Sequence, residues 1–430
     1  MKIAMMTNNY KPFVGGVPVS VERLTCGLRE RGHEVCVFAP EYRELENEET
    51  GDQRVEEQED VVRYRSCRRK FENGMVIPDV TDPRIREAFA KRKFDLIHVH
   101  HPMLIGNVAV ALSRRYQLPL IYTYHTRYEE YLHYINVFSG KREWTAVEKC
   151  LEQSRKWLPR YMASFMNKCD LVLAPSASMR DSILRQEIST PVRILPTGLD
   201  DGSYVKDEKV SDEIRRTYLG DKRCLFCTVS RLEKEKNLYF LLRSIQCLRR
   251  RVGDGFSVMV IGDGAERPAL ELYAKELGIE GVVRFVGEVP NQKVKNYLFA
   301  SDVFLFASQS ETQGIVLAEA MAAGLPVAAV SACGVNDIVK DAKNGYLTAE
   351  SEDIFAAKAE ELMMDHEKRC RFGANALGMA QNYQMAYIAA EAEEDYRMIL
   401  EERRRAEEYG HEAYEKKDVM SSVLHLFKAS

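Results

Sequence analysis

The 430-residue chain has little net charge, two tryptophans and no long apolar run. Lys and Arg total 61 against 65 Asp and Glu, a net charge of −4, whereas a protein that binds nucleic acid is normally basic. A membrane-spanning helix needs about 18 consecutive apolar residues, and none occur. We therefore expect no nucleic-acid partner and no spanning helix. The 45% of apolar residues is typical of a globular protein, which at roughly 150 residues per domain would have two or three domains.

The amino terminus lacks the apolar core and small-residue cleavage site of a signal peptide. The 10 cysteines are scattered singly, apart from Cys224 and Cys227, whose spacing could indicate redox or zinc chemistry. Those two lie in an apolar run typical of a strand, and residues three apart point to opposite faces of a strand. We therefore expect both to pack in the core of a cytoplasmic protein.

Short apolar runs alternate with helical patterns, first up to Ala174 and again from Cys224. Such alternation predicts parallel sheets with helical crossovers. A polar stretch from Leu195 to about Arg216 is interpreted as a linker, and the pattern is almost wholly helical from Ser351 onward. The sequence predicts an α/β fold of two doubly wound parallel-sheet domains that face a cleft, residues 1–198 and 199–383, with a helical segment, 384–430, that packs back on the first.

The strongest motif follows a predicted strand, Val303–Ala307. A polar turn containing Glu311 leads into a helix that begins near Gly314, in which Glu319 is the one charged residue. Free N–H groups at a helix start favour an anion, and glycine lets a phosphate approach the backbone closely. Glu319 could accept hydrogen bonds from sugar hydroxyls, as acidic residues do with ribose. Taken alone, the segment fits an ordinary amphipathic helix with one exposed glutamate equally well.

Three further turns follow strands of the second set. Arg231 and Lys236 come after the first strand, Gly262 after the next, and the segment Arg284–Gly287 ends the third. A strand end that brings two cations beside a helix start is suited to neutralising a diphosphate. With the turn that contains Glu311, this makes four polar or glycine-containing turns at the ends of strands of the second set. Packing does not easily explain such a series, so we predict a ligand site at the edge of the second sheet where these strands end.

The first domain offers a polar loop ending in Gly15 and Gly16 ahead of a helix, which suggests that these two residues bind the phosphate or another part of the donor. The loop lacks the G-x-G-x-x-G fingerprint of dinucleotide sites, so a nicotinamide enzyme is disfavoured. His98, His100 and His101 suggest a metal, and the first two could share one face of a strand. No Asp, Glu or Cys stands at a supporting spacing, so we expect no metal site. His125 ends the next predicted strand, a position that favours a functional role in the cleft.

These residues together resemble the retaining glycosyltransferases of family GT4. Glu311 and Glu319, with seven residues between them, are similar to the E-x7-E motif of that family. Its diphosphate-binding pair is matched by Arg231 and Lys236, its amino-terminal loop by Gly15 and Gly16, and its histidine near the transferred sugar by His125. The resemblance runs from about Met1 to about Tyr396. It implies a GT-B fold of two Rossmann-like domains, a nucleotide-sugar donor held mainly by the second, and no obligatory metal or other cofactor.

The resemblance also implies a role for each matching residue. Glu319 would bind the ribose of the donor, Glu311 the hydroxyls of the transferred sugar, and His125 the sugar near the reacting centre. Cations on the leaving diphosphate would stabilise the charge that develops during a front-face attack that retains configuration. The remaining donor-site residues would be Arg231 and Lys236 on the diphosphate, Gly262, Gly314, Ile315 and Val316 beside it, and Arg284 to Val286 at the nucleobase. The family commonly has an aromatic residue where Gln313 stands here.

The acceptor is suggested by the segment Tyr124–Ile135, which includes Tyr128 and Tyr131 and is similar to bacterial diacylglycerol glucosyltransferases. Those enzymes bind the inner leaflet peripherally and transfer glucose from UDP-glucose to diacylglycerol. Both tryptophans, Trp144 and Trp157, fall in a basic stretch that suits an anionic bilayer. An alternative is that this stretch forms a helix whose aromatic face packs against the first domain, which would require the same amphipathic pattern. A further basic cluster comprises Arg68, Arg69 and Lys70.

We therefore expect a retaining, metal-independent hexosyltransferase that moves glucose from UDP-glucose, or a similar UDP-sugar, to a membrane lipid such as 1,2-diacylglycerol. It would work in the bacterial cytoplasm or peripherally on the inner face of the membrane. One alternative is a GT4 enzyme with a soluble or polysaccharide acceptor. Another is a non-catalytic nucleotide-sugar-binding protein, which the loss of Arg231, Lys236 or Glu319 would have favoured. The sequence gives no indication of oligomeric state.

Overall fold

The computed structural model describes residues 1–13, 15–42, 60–70, 75–126 and 157–408. It divides the chain into two compact units. The first unit comprises Met1–Gly198 together with Met385–Ser430, and the second comprises Leu199–Gln384. The chain therefore passes from one unit to the other twice, after Gly198 and after Gln384.

The strands and helices are numbered in chain order. The strands are β1 (Lys2–Met6), β2 (Glu34–Pro40), β3 (Val61–Tyr64), β4 (Ser66–Lys70), β5 (Val76–Pro78), β6 (Leu96–Val99), β7 (Leu120–Thr123), β8 (Leu171–Ala174), β9 (Val192–Ile194), β10 (Cys224–Val229), β11 (Phe256–Ile261), β12 (Val283–Gly287), β13 (Val303–Phe306), β14 (Val327–Val330) and β15 (Gly345–Thr348). The helices are α1 (Gly16–Glu30), α2 (Pro83–Lys91), α3 (Ile105–Tyr116), α4 (residues 157–166), α5 (Ala177–Leu184), α6 (Glu208–Leu219), α7 (Leu238–Val252), α8 (Arg267–Glu276), α9 (Asn291–Ala300), α10 (Ile315–Ala322), α11 (Val335–Ile338), α12 (Glu352–Met364), α13 (His366–Ala380) and α14 (Met385–Glu408).

The first unit contains a seven-stranded parallel sheet in the order β3-β2-β1-β6-β7-β8-β9, and a separate antiparallel pair, β4 and β5. In the central strand, Ile3 pairs with Val35 on one side and Leu96 on the other. Its apolar run is continuous rather than alternating because residues 3–6 are fully buried, as expected where helices cover both faces of a sheet. The strand order reverses between β1 and β6.

The second unit contains a six-stranded parallel sheet in the order β12-β11-β10-β13-β14-β15. This is the strand order of a Rossmann domain, and it reverses between β10 and β13. Ligands of such sheets bind in the crevice beyond the carboxyl ends of the strands at that reversal. The predicted α/β fold with two doubly wound sheets is confirmed.

The helical segment at the end of the chain completes the core of the first unit. Helix α14 buries one apolar stripe at helical spacing, and this stripe shares a cluster with residues of α1 and the first sheet. The Tyr396 hydroxyl contacts His98 at 2.6 Å, and Arg403 donates to the Asp170 carboxylate at 3.1 Å. The stripe comprises Met385, Ile388, Ala389, Ala392, Tyr396 and Ile399.

The polar stretch interpreted as a linker is a structured part of the second unit, so that prediction is wrong beyond about Asp200. It contains a 3-10 turn, Asp201–Tyr204, and then α6. The Asp207 side chain caps α6 by accepting from the Val210 N–H. Half of the residues in this helix are charged. Ile214 and Tyr218 lie on the face that packs on the core, so the apolar signal in the sequence is weak.

The C-x-x-C pair packs in the core, as predicted. Cys224 belongs to the apolar cluster on one face of the second sheet, and Cys227 belongs to the cluster on the other face. Both thiols are free and buried. Burial raises the pKa of Cys227 to about 12, so this thiol stays protonated, whereas a metal binds the thiolate. The position of the two thiols on opposite faces of the sheet also disfavours a shared metal.

Candidate functional site

The reversal point of the second sheet holds a partly buried ion pair. Lys236 lies in the turn after β10 and Glu311 in the turn after β13, and the Lys236 Nζ is 2.8 Å from the Glu311 Oε1. Ser308 donates to the same carboxylate oxygen at 3.0 Å. The two turns meet here because β10 and β13 are neighbours whose carboxyl ends lie at one edge. Residues 75 positions apart in the chain therefore form one polar cluster.

Glu311 is held in its charged form. Burial of its carboxyl acts to raise the pKa, but the charge and hydrogen bond of Lys236 and the hydrogen bond from Ser308 act in the opposite direction, and the net pKa is lowered. A carboxylate fixed in this way can accept hydrogen bonds from ligand hydroxyls, while its ammonium partner can bind an anion.

Arg231 lies in the same turn as Lys236 and is more exposed. Its Nη2 is 3.2 Å from the Glu235 Oε1, and about half of the Arg231 side chain is in contact with solvent. Glu235 is almost fully buried, so it holds one end of the guanidinium while the rest remains accessible. The turn thus contributes two cations to this edge of the sheet.

Backbone hydrogen bonds join the turns that follow β10, β11 and β12. The Ser230 N–H donates to the Ile261 carbonyl at 3.1 Å, and the Gly262 N–H donates to the Gly287 carbonyl at 2.8 Å. Gly262 has a φ of +127°, and a Cβ there would lie 1.9 Å from the Ser230 carbonyl oxygen. Glycine is therefore required at this position, and the three turns form one continuous rim.

Helix α10 begins directly after Gly314 in the same rim. Leu317, Ala318, Ala320 and Met321 are buried, whereas Ile315, Val316 and Glu319 are only half-buried. Residues three and four apart lie on one helix face, so Glu319 lies one turn along from Ile315 and Val316. The structure thus brings Arg231, Lys236, Gly262, Glu311 and the start of α10 to one edge of one sheet.

Arg284 is not part of this group. Its guanidinium turns back to the Glu280 carbonyl, which precedes β12, and so lies toward the amino end of that strand. The expectation that it lines a nucleobase pocket has no support in this geometry. Val286, at the other end of the strand, is half-buried against the core cluster of its unit.

The residues predicted in the first domain lie at the carboxyl edge of the first sheet. Gly15 precedes α1 and Gly16 is its first residue, in the connection that follows β1. The adjacent turn after β6 is fixed by Asn8, whose N–H donates to His101 Nδ1 at 3.1 Å and whose side chain donates to the Met103 carbonyl at 3.0 Å. His125 lies two residues beyond β7.

The histidines of this edge are neutral and packed together. His100 Nδ1 is 2.8 Å from His125 Nε2, and the His98 and His100 ring centres are 4.3 Å apart, as the predicted shared face requires. Burial lowers the pKa of His125 to about 4, that of His98 and of His101 to about 3, and that of His100 well below its usual value. Within the described ranges, no three His, Cys, Asp or Glu side chains are grouped closely enough to hold a metal ion.

Trp157, one of the residues predicted to bind lipid, lies in the part of the chain that the structure describes, and its side chain is exposed. It lies at the first described residue of α4, is 57% exposed, and stacks on Tyr161 at 4.8 Å between ring centres. Tyr161 in turn donates to the Pro102 carbonyl at 2.9 Å, which fixes the stack to the turn after β6. The opposite face of α4 is buried through Leu158, Met162, Phe165 and Met166.

The other residues proposed for the membrane lie outside the described part. These are Tyr128, Tyr131 and Trp144, and also the side chains of Arg68, Arg69 and Lys70, whose backbone forms part of β4. Among the helices that the structure describes, none has the length and apolarity needed to cross a bilayer.

Several residues of these edges have little or no recognisable signal in the sequence. Ser308, which holds Glu311, stands in the motif but has no distinctive spacing. Gly334 has a φ of +76°, and a Cβ there would lie 2.7 Å from the Glu311 carbonyl oxygen, so it allows the next turn to pack against the carboxylate turn. The alternation of His98 and His100 indicates a shared face, but nothing in the sequence indicates that His100 contacts His125.

Comparison with known proteins gives consistent results for both halves of the chain. The profile described as Glycosyltransferase Family 4 matches residues 14–202, and that described as Glycosyl transferases group 1 matches residues 210–379. Alpha-monoglucosyldiacylglycerol synthase of Streptococcus pneumoniae is 28% identical, covering 84% of this chain and 78% of that protein. The protein of the same name from Acholeplasma laidlawii is 26% identical, with 82% and 86% covered.

Other relatives differ in activity. A GDP-mannose-dependent alpha-mannosyltransferase of Mycolicibacterium smegmatis is 27% identical over 81% of this chain and 84% of that protein. Among solved structures, Anabaena Alr3699/HepE in complex with UDP-glucose superposes with a TM-score of 0.68 at 20% identity, covering 92% of this chain and 99% of that one. The chain therefore belongs to the GT4-family glycosyltransferases and has their GT-B fold, built from two Rossmann-like domains.

Proposed function

We propose that this glycosyltransferase moves glucose from UDP-glucose to a membrane lipid, 1,2-diacylglycerol, with retention of the anomeric configuration and without an obligatory metal. In this proposal the second unit holds the donor and the first unit binds the acceptor. The observation that carries the acceptor assignment is the similarity to two synthases named for monoglucosyldiacylglycerol, each across more than four-fifths of this chain.

The proposed donor site is the rim of the second sheet. Lys236 and Arg231 would hold the diphosphate, where two cations can stabilise the charge that builds up on the leaving group. Glu311 would accept from hydroxyls of the sugar and Glu319 from those of the ribose, because a carboxylate accepts hydrogen bonds from neighbouring hydroxyls. Gly262, Gly314, Ile315 and Val316 would let the phosphates approach the backbone.

The proposed acceptor side lies on the first unit. His125 would contact the transferred sugar, and the exposed Trp157–Tyr161 stack would lie at the lipid interface, where an aromatic ring with one polar end is favoured. Arg68, Arg69 and Lys70, with Tyr128, Tyr131 and Trp144, are proposed as further lipid contacts. Attraction of basic residues to anionic lipids would keep the enzyme peripherally on the cytoplasmic leaflet.

The test is a donor panel. The purified full chain is incubated with UDP-glucose, UDP-galactose or GDP-mannose and with vesicles containing diacylglycerol and anionic phospholipid, in buffer with and without EDTA. Products are identified by mass spectrometry, and the anomer by NMR. We expect α-glucosyl diacylglycerol from UDP-glucose at equal rates in both buffers.

Other products would refute specific parts of the proposal. A β-linked product would refute retention, and loss of activity in EDTA would refute metal independence. Transfer only to water-soluble sugars would refute the lipid acceptor, and mannosyl transfer from GDP-mannose alone would refute the donor. Nucleotide-sugar binding by calorimetry with no transfer to any acceptor would favour the non-catalytic alternative.

A further inference from the structure

Leu104 has a backbone conformation that leucine rarely adopts. It lies in the turn after β6, with φ +57° and ψ −98°. The Gly106 N–H donates to the Met103 carbonyl at 3.3 Å, so Leu104 is the second residue of a four-residue turn. A positive φ with a negative ψ at this position is typical of a type II′ turn, where glycine is preferred. A leucine at this position therefore strains the backbone.

The side chain of Leu104 does not fully compensate for this strain by burial. It is 40% exposed, whereas the neighbouring residues Pro102, Ile105 and Gly106 are buried. Strained residues persist where the surrounding structure determines their conformation, and they cluster at functional sites. An apolar side chain that is both strained and exposed thus calls for a reason other than packing.

Asn8, in the connection after β1, holds the strained segment from both sides. Its Nδ2 donates to the Met103 carbonyl at 3.0 Å, and its Oδ1 accepts from the Ile105 N–H at 3.2 Å. One amide side chain therefore binds the peptide group before Leu104 and the peptide group after it. The Asn8 N–H is itself fixed by His101 Nδ1 at 3.1 Å. These contacts determine the direction of the Leu104 side chain.

The position of this turn on the first sheet points to a ligand. The strand order reverses between β1 and β6, and Asn8 and Leu104 follow these two strands, so they lie where ligands of such sheets bind. The exposed Trp157–Tyr161 stack is tied to the same turn, because Tyr161 donates to the Pro102 carbonyl at 2.9 Å. One turn thus carries two exposed apolar groups, which suit an apolar part of a ligand better than a sugar or a phosphate.

We infer that Leu104 contacts the apolar part of the lipid acceptor, next to the hydroxyl that receives the sugar, and that Asn8 is a positioning residue that holds Leu104 toward it. This inference rests on the proposed function and adds a contact on the first unit for the acyl–glycerol portion of diacylglycerol. Apolar contact with the lipid supplies binding free energy that the exposed side chain does not gain in folding.

The strain can be measured without substrate. At ordinary positions glycine is less stabilising than alanine, because it loses more backbone entropy on folding. At the second position of a type II′ turn the order reverses, since glycine alone is free of strain there. We expect Leu104→Gly to unfold at a higher urea concentration than Leu104→Ala. The opposite order would overturn the strained conformation and the inference built on it.

Acceptor contact is measured with UDP-glucose and vesicles of increasing diacylglycerol content. Leu104→Asn keeps a similar volume but is polar, and we expect it to raise the KM for diacylglycerol by about tenfold or more. The KM for UDP-glucose should stay within about twofold of wild type. Leu104→Met keeps an apolar side chain of similar size and should raise the acceptor KM by less than about threefold.

Leu184 provides the matched control. It is a leucine of the same unit that is 51% exposed, and it ends α5, which runs back from β8 toward the opposite edge of the sheet. Leu184→Asn should leave the KM for diacylglycerol unchanged. An equal rise in Leu184→Asn and Leu104→Asn would mean that any loss of exposed apolar surface has this effect, and would overturn the specific contact.

Asn8→Ala tests the positioning role. It releases both peptide groups beside Leu104, so we expect the KM for diacylglycerol to rise while the KM for UDP-glucose stays the same. Added to Leu104→Asn, it should raise the acceptor KM by less than about twofold further, because both changes remove one contact. Fully additive effects would overturn the positioning of Leu104 by Asn8.

The remaining outcomes separate this inference from the proposed function. If Leu104→Asn weakens sedimentation with vesicles free of diacylglycerol as much as it raises the acceptor KM, Leu104 contacts the bilayer, and the acceptor contact is overturned. An unchanged acceptor KM in Leu104→Asn would overturn the inference and leave the proposed function intact. A wild-type protein that transfers no sugar to diacylglycerol would refute the proposed function together with the acceptor named here.

Discussion

At the residue scale, Lys236 neutralises a mostly buried carboxylate and is also placed to bind an anion. Removing it would leave Glu311 charged, mostly buried and without its cation, so both carboxylate and phosphate binding should suffer. We expect Lys236→Ala to lower sugar transfer by at least about tenfold, or roughly 1.4 kcal/mol of transition-state stabilisation. Glu319→Ala should do the same, and initial rates with the preferred donor measure both.

Lys234 provides the matched control for Lys236. It lies two residues away in the same turn, but its side chain is 80% exposed and 3.9 Å from its nearest carboxylate, on Glu266. Exposed pairs of this kind contribute little, so Lys234→Ala should retain activity within about twofold. Equal losses in Lys234→Ala and Lys236→Ala would mean that only the overall charge of the turn matters.

The buried histidines make the first unit sensitive to acid. The folded-state pKa values of His98 and His101 lie near 3, below the value of 6.5 for an unfolded chain, so the unfolded state binds more protons below pH 6.5. The free energy of unfolding should therefore fall as the pH drops from about 6.5 toward 4, by up to roughly 1.4 kcal/mol per pH unit for each histidine. Urea denaturation at pH 7 and pH 5 measures this.

His101→Asn tests the origin of that pH dependence. Asparagine can still accept from the Asn8 N–H but does not titrate, so the variant should lose less stability than wild type between pH 7 and 5. Identical pH slopes in the two proteins would assign the acid sensitivity to other groups.

At the element scale, α14 is part of the first unit's core, and neighbouring positions on it differ in burial. Ile388 is 2% exposed within the cluster, whereas Tyr387 is 54% exposed. Ile388→Ala removes buried methyl groups and leaves a cavity, so it should lower the free energy of unfolding by about 2–4 kcal/mol. Tyr387→Ala should change it by less than about 0.5 kcal/mol. Chemical denaturation at pH 7 compares them, and similar losses would show that α14 is not docked as described.

The turn that carries Glu311 depends on the close approach of Gly334. A methyl group there would collide with the Glu311 and Thr312 backbone, and the left-handed φ adds strain. We expect Gly334→Ala to reduce transfer by more than about tenfold while the protein remains folded. Gly378→Ala, in an exposed helical position with open space around it, is the control and should be neutral or slightly stabilising.

The strands at the centres of both sheets could be predicted from the sequence because their short apolar runs are uninterrupted and almost fully buried. Helices such as α1 and α7 could be predicted because their buried residues recur at helical spacing. Edge strands such as Val192–Ile194 are three residues long and half-buried, so their pattern resembles that of a loop. Lys236 and Glu311 could be expected at one edge, since both follow parallel strands. The direction of Arg284 and the contact between His100 and His125 depend on side-chain orientation, which sequence spacing does not determine.

At the scale of the whole molecule, membrane attachment would use residues of the first unit. If the Trp157–Tyr161 stack inserts into the interface, Trp157→Ala should weaken sedimentation with anionic vesicles by about threefold or more. Tyr387→Ala, an exposed aromatic on α14, is the matched control and should sediment normally.

Combined replacement of Arg68, Arg69 and Lys70 by alanine should weaken vesicle binding in a salt-sensitive way without changing donor affinity. Unchanged sedimentation would remove the substituted residues from the membrane surface.

Because α14 belongs to the first unit but follows the second unit in the chain, the order of synthesis matters. The ribosome completes the whole second unit before the stripe from Met385 to Ile399 emerges, so until then the matching face of α1 has no cover. During translation the second unit can reach its native state while the first still awaits one piece of its interior. A fragment that ends near Gly198 would therefore expose apolar surface permanently and should aggregate, whereas Leu199–Gln384 holds all the sequence of its own core.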